Sequence, residues 1–145
     1  MAKLPSAKDL QMKIAEMEGA KASAAARRHA AAEAEKEALL AKLLSPSGLS
    51  DDDLIEKAEI IVNRAVEDGH TSVQVMRFPH HLCSDNGRAI NQAEAGWEKT
   101  LSGRPKELYQ FWERRLKPLG YHLRYEIVDY PGGMPGDVGV TLSWS

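Results

Sequence analysis

The sequence predicts an α+β fold: a long Ala-rich helix followed by a small domain in which helices cover a three-stranded, at least partly antiparallel sheet. Three observations predict it. Composition changes abruptly at Ser45-Pro46-Ser47-Gly48, before which the chain is mostly Ala, Lys, Glu and Arg and after which come all three Trp, all four Tyr and both Phe. Past that break, apolar residues recur with a period of 3.6 in two stretches and with a period of 2 in three others. The predicted organisation is a helix over residues 1–44, a linker over 45–49 and a compact domain over 50–145.

The first helix is expected to start at Ser6, an N-cap residue with Asp9 three positions on, where a carboxylate also meets the positive end of the helix dipole. From Ala7 to Leu44 there is no Pro and one Gly, and about half of residues 20–41 are Ala, the strongest helix former. A continuous helix of that length would extend about 57 Å at 1.5 Å per residue, so part of it is expected to project beyond a domain of this size. Leu10, Met17, Ala24, Ala31 and Ala38 fall every seven residues, but an Ala seam buries little, and strong autonomous dimerisation is not expected. Large apolar residues gather at the ends, with Leu10, Met12, Ile14 and Met17 at one and Leu39, Leu40, Leu43 and Leu44 at the other. The second group is expected to dock on the domain and the first to meet a partner.

Ser50-Asp51-Asp52-Asp53 reads as a capping box with three carboxylates in the first turn of a second helix. Leu54, Ile55, Ala58, Ile61, Val62, Ala65 and Val66 form its inner stripe, and Gly69 stops it. A strand follows over 72–78, with Val73, Val75 and Arg77 on one side and Gln74, Met76 and Phe78 on the other. After Pro79 a loop, His80-His81-Leu82-Cys83-Ser84-Asp85, leads to a short helix capped by Ser84 or Asp85 and running to about Glu94, with Gly96 ending it. Pro105 opens a further helix whose apolar face carries Leu108, Tyr109, Phe111, Trp112, Leu116 and Leu119 before Pro118 and Gly120 stop it. Two more period-2 runs, Tyr121 to Ile127 and Val138 to Trp144, are strands, and the turn Pro131-Gly132-Gly133-Met134-Pro135-Gly136-Asp137 makes antiparallel pairing the simplest connection. The strand order is not fixed by these patterns.

The net charge of -2 gives no global attraction to nucleic acid or anionic lipid. No apolar run is long enough to span a membrane, the lone Cys83 cannot form an internal disulfide, and the opening residues lack a secretion signal, so the expected setting is cytoplasmic. No cofactor or metal signature is present.

Polar residues are densest in His80, His81, Cys83, Asp85, Arg88, Asn91 and Glu94, just after a strand end, where loops often carry function. A metal-dependent reading would take His80 or His81, Cys83 and Asp85 as ligands, and an enzymatic one would make Cys83 a nucleophile with a nearby His lowering its pKa. The spacing matches no familiar ligand pattern, adjacent His residues in an extended segment point apart, and a single Cys beside Leu82 is typically a small buried apolar residue. Asp85, Arg88, Asn91 and Glu94 have the i,i+3 spacing of one helix face, with Trp97 beside them as a core or contact residue. Residues 104–124 are locally basic, from Arg104 to Arg124, with Tyr109, Trp112 and Tyr125 interleaved; a nucleic-acid surface would need those rings exposed, whereas the pattern places them in the core.

The reading that follows is a small cytoplasmic protein-interaction module. Its N-terminal helix serves for attachment or weak self-association through Leu10, Ile14 and Met17, and the loop carrying His80, His81, Asp85 and Arg88, with Trp97, is a second contact surface. The expected partner is another protein or a second copy of the chain, with no membrane.

Overall fold

The computed structural model describes residues 4–145. The fold is α+β, and the chain divides into two compact units between Ala41 and Lys42.

The first unit is a single helix. Helix α1 (Ala7–Leu44) starts where Ser6 Oγ accepts the Asp9 N–H at 3.1 Å, the half of the capping bond that satisfies an otherwise orphaned donor. Gly19 does not interrupt it.

The second unit takes in the last turn of α1, where Leu43 is buried and Leu44 is exposed. That turn rests on Gly103, whose φ is +62°; a Cβ there would collide with the Leu43 carbonyl oxygen and stand 2.9 Å from Leu44 Cα. The segment expected as a linker is tied down as well, because Ser47 donates to the Glu107 carboxylate from its N–H at 3.1 Å and its hydroxyl at 2.6 Å.

Helix α2 (Asp51–Glu67) carries the complete capping box: Ser50 Oγ accepts from Asp53 N, and the Asp53 carboxylate accepts from Ser50 N. At its other end His70 N bonds Ala65 O at 2.8 Å across Gly69, whose φ is +79°. Strands β1 (Ser72–Pro79), β2 (His122–Ile127) and β3 (Asp137–Ser143) form one antiparallel sheet in the order β1-β3-β2. The Tyr121 to Ile127 and Val138 to Trp144 runs therefore pair as the hairpin the turn chemistry predicts, and β3 becomes the central strand.

The side-chain alternation expected in β1 is corrected by a β-bulge. Gln74 pairs with Thr141 and Met76 with the next residue, Val140, so Val75 is extra and the parity resets there. Val73, Met76 and Phe78 consequently lie opposite Leu142, Val140 and Val138 on the inner face, while Gln74 and Arg77 lie opposite Thr141 and Gly139 on the outer one. The apolar doublet Val75-Met76 is the sequence trace of this bulge. Phe78, Val138, Val140 and Pro105 are the largest fully buried residues, and Phe111, Leu116 and Leu142 form an adjoining core cluster.

Two helices depart from expectation. The predicted helix to Glu94 contracts to α3 (Arg88–Asn91), because Ala93, at φ +52°, leaves the helical region. The helix near Pro105 starts earlier, as α4 (Gly103–Phe111), then widens into a π turn at Trp112–Leu116, where Lys117 N bonds Trp112 O. Pro118, lacking an N–H, cannot continue the helical ladder, and a 3₁₀ turn (Lys117–Leu119) closes the element at Gly120, which leaves Leu119 exposed and off the apolar face expected of it.

Candidate interaction surfaces

The loop after β1 is shaped by its own backbone. Residues His80–Leu82 form a 3₁₀ turn in place of the expected extended segment, so the two imidazoles lie edge to face with centroids 5.7 Å apart. His80 Nδ1 is 2.9 Å from Gly136 O, which joins this loop to the β2–β3 connection. Asp85 uses both carboxylate oxygens on amides, accepting from Gly87 N at 3.0 Å and from Ala89 N at 2.9 Å, but the N-cap residue of α3 is Gly87, at φ +81°, and not the predicted Ser84 or Asp85. With α3 a single turn, Asp85, Arg88, Asn91 and Glu94 do not form the predicted row on one helix face. Arg88 instead meets Glu94 at 3.7 Å across the exposed end of the turn.

The β2–β3 connection completes the surface. Tyr130 Oη donates to Asn91 Oδ1 at 2.8 Å, and Arg77 bridges Asp137 at 2.9 Å and Asp129 at 3.2 Å. Asp129 also accepts the Asp137 N–H, and Gly136 is required because a Cβ there would overlap the Asp129 carboxylate. The result is a platform of two braced loops at one end of the sheet, with His81 and Arg88 exposed on one loop and Tyr130 and Met134 exposed on the other. Arg77, Asp129, Tyr130 and Gly136 escape a reading of the sequence as site members. Their partners lie 39 to 60 residues away, and only the strand order brings them together.

The same geometry bears on chemistry in this loop. Cys83 is buried, and burial is the main cause that pushes its thiol above the ordinary value, outweighing a hydrogen bond with Thr100. A thiol held protonated in an apolar setting makes a poor nucleophile. His80 and Asp85 are committed to backbone groups, and among the described residues no three His, Cys, Asp or Glu side chains converge as metal ligands. Trp97 is half-buried against Tyr125 and Tyr109, at centroid separations of 5.0 and 5.6 Å.

In the basic stretch, Arg114 binds Asp51 at 2.8 Å, Arg115 lies 3.8 Å from both Asp51 and Asp52, and Arg124 meets Glu126 at 3.2 Å. The hydrogen bond from Arg114 is the main cause holding the Asp51 carboxyl below its usual range. Lys117 sits 5.6 Å over the Trp112 ring, and Trp112 Nε1 donates to Tyr121 O. The interleaved rings of Tyr109, Trp112 and Tyr125 pack on one another, so they do not form the open stacking platform a nucleic-acid surface requires.

On α1, the ridge Leu10, Ile14 and Met17 is exposed at 44%, 55% and 53%. The spacing of four and three residues puts these side chains on one face of the helix, and a single helix has no second element of its own unit to bury them. No helix among the described residues is long and apolar enough to cross a membrane. No family model, curated protein or solved structure matches the chain.

Proposed function

We propose that the chain is a protein-interaction module that uses α1 for attachment or weak self-association. The observation that supports this reading is the exposed ridge of Leu10, Ile14 and Met17 on a helix otherwise rich in Ala and charge. Each such side chain gains roughly 1.5–3 kcal/mol when buried. Forming a complex costs on the order of 4–15 kcal/mol in lost freedom. Three residues therefore sustain contact at high local concentration and do not lock a permanent assembly. The platform of His80, His81, Asp85 and Arg88, extended by Tyr130 and Met134, is the proposed second contact surface. Its braced loops present exposed side chains without a large ordering cost on binding, and Trp97, half-buried against Tyr109 and Tyr125, is the remaining proposed contact residue.

The test is the triple variant Leu10→Ser, Ile14→Ser, Met17→Ser, with circular dichroism to verify that the helix is retained. The parent chain should sediment above its 16.0 kDa monomer mass at high concentration, or be cross-linked to a second protein, and the variant should lose that association. Parent and variant behaving identically in both assays would overturn the attachment role.

A further inference from the structure

Beneath α2 the second unit is incompletely filled. A cavity of about 270 Å³ opens between α2, α4 and the inner face of the sheet, and a second of about 210 Å³ shares Ala58, Leu116 and Leu142 with it. The cause is local: α2 buries only Ala65 fully, and Ala58 sits in the middle of its inner stripe with too little bulk to reach across. The walls of the larger cavity are apolar, including Leu54, Ile61, Val75, Phe111 and Leu123.

Its polar lining consists of Ser47, Lys57, Arg104 and Glu107. Glu107 is already satisfied by Ser47, which donates to it twice. Arg104 commits only Nε, to Ser45 O at 3.3 Å, and Lys57 has neither an ion pair nor a side-chain hydrogen bond among the described residues. Two cationic side chains thus stand against one carboxylate, which keeps its charge because both its donors are neutral, and the lining is left with a net charge of +1 beside an apolar chamber.

We infer that this cavity binds a linear acyl chain of short to medium length whose carboxylate is held by Lys57 and Arg104. The chamber suits such a tail because it is close to the lower end of the volumes usual for ligand pockets, roughly 300–1,000 Å³. The free fork of a guanidinium matches a carboxylate, and an ammonium adds charge without demanding geometry. This site is separate from the ridge on α1 and does not depend on its role.

Calorimetric titration of the full chain with decanoate, decan-1-ol and acetate tests the inference. Decanoate should bind saturably with one molecule per chain, decan-1-ol about tenfold more weakly for want of the charge-assisted bonds, and acetate not measurably. The variant Lys57→Gln, Arg104→Gln should bring decanoate down to the affinity of the alcohol, and Ala58→Leu, which fills the space between the two cavities, should weaken both ligands. Should Ala58→Leu fail to fold, the double variant decides alone, since it leaves the apolar walls intact. Absence of saturable decanoate binding, equal affinity for acid and alcohol, or an unchanged decanoate affinity in the double variant would each overturn the inference.

Discussion

Tyr125 shows how much one buried side chain can carry. Its ring lies among Phe78, Trp97 and Tyr109, and its hydroxyl donates to the buried Pro105 carbonyl at 2.8 Å. Burial is the main cause that pushes this hydroxyl far above the ordinary tyrosine value. The fold therefore favours the neutral phenol: the contribution is fully present below about pH 10, where an unfolded Tyr ionises, and is lost as pH rises beyond it. In an alkaline titration followed by ultraviolet absorbance, the Tyr125 phenolate should appear only together with loss of the fold. Tyr125→Phe should remove that coupled step and cost roughly 1–3 kcal/mol in urea unfolding, because the Pro105 carbonyl is left buried without a donor. Gly139 acts by absence, since Val128 lies over it on the outer sheet face where a Cβ would collide with Val128 Cγ1.

Among the elements, α2 is the one whose ends are specified most fully and whose middle is specified least. The capping box and the turn at Gly69 fix where it begins and stops, while its inner stripe leaves cavities on both sides of Ala58. Its terminal bonds should accordingly matter for holding it in place. Ser50→Ala should lower stability by about 1 kcal/mol, read as a shift of the urea midpoint with unchanged slope, and Ser50→Asp should restore most of the loss. Strand β3 is the opposite case. It is paired on both edges and nearly continuously buried, so it depends little on turns of its own.

Over the whole molecule, the two units differ in what stabilises them. Within residues 4–41 no side chain is fully buried, so that helix relies on propensity and local pairs, which leave helices in water only marginally stable. The second unit has a core and a three-stranded sheet. Native-state hydrogen exchange should therefore separate them: amides within 10–38 should exchange by local opening, orders of magnitude faster than those of Val138, Val140 and Leu142, which should wait for global unfolding. Uniform protection across both would show that the helix is stabilised by contacts beyond its own residues.

Much of this architecture was legible in the amino-acid order because it is decided within a few residues. Ser6 and Ser50 caps, the stop at Gly69 and the alternation in β2 and β3 all follow from local backbone geometry, whereas the stripe expected to face inward on α2 does so only in part, since Ile61 and Val66 are exposed. The candidate surfaces were legible only in part: Leu10, Ile14 and Met17 could be picked out as a ridge, and the loop from His80 could be placed after a strand. What sits opposite that loop could not, because Gly136, Tyr130 and Asp129 reach it through the position of β3 between β1 and β2, a choice made by burial of both strands' apolar faces at once. The same holds for the bulge at Val75 and the space beneath α2. Periodicity says which side of an element turns inward, but only the packed whole settles register, and with it how well the inward sides fill the room between them.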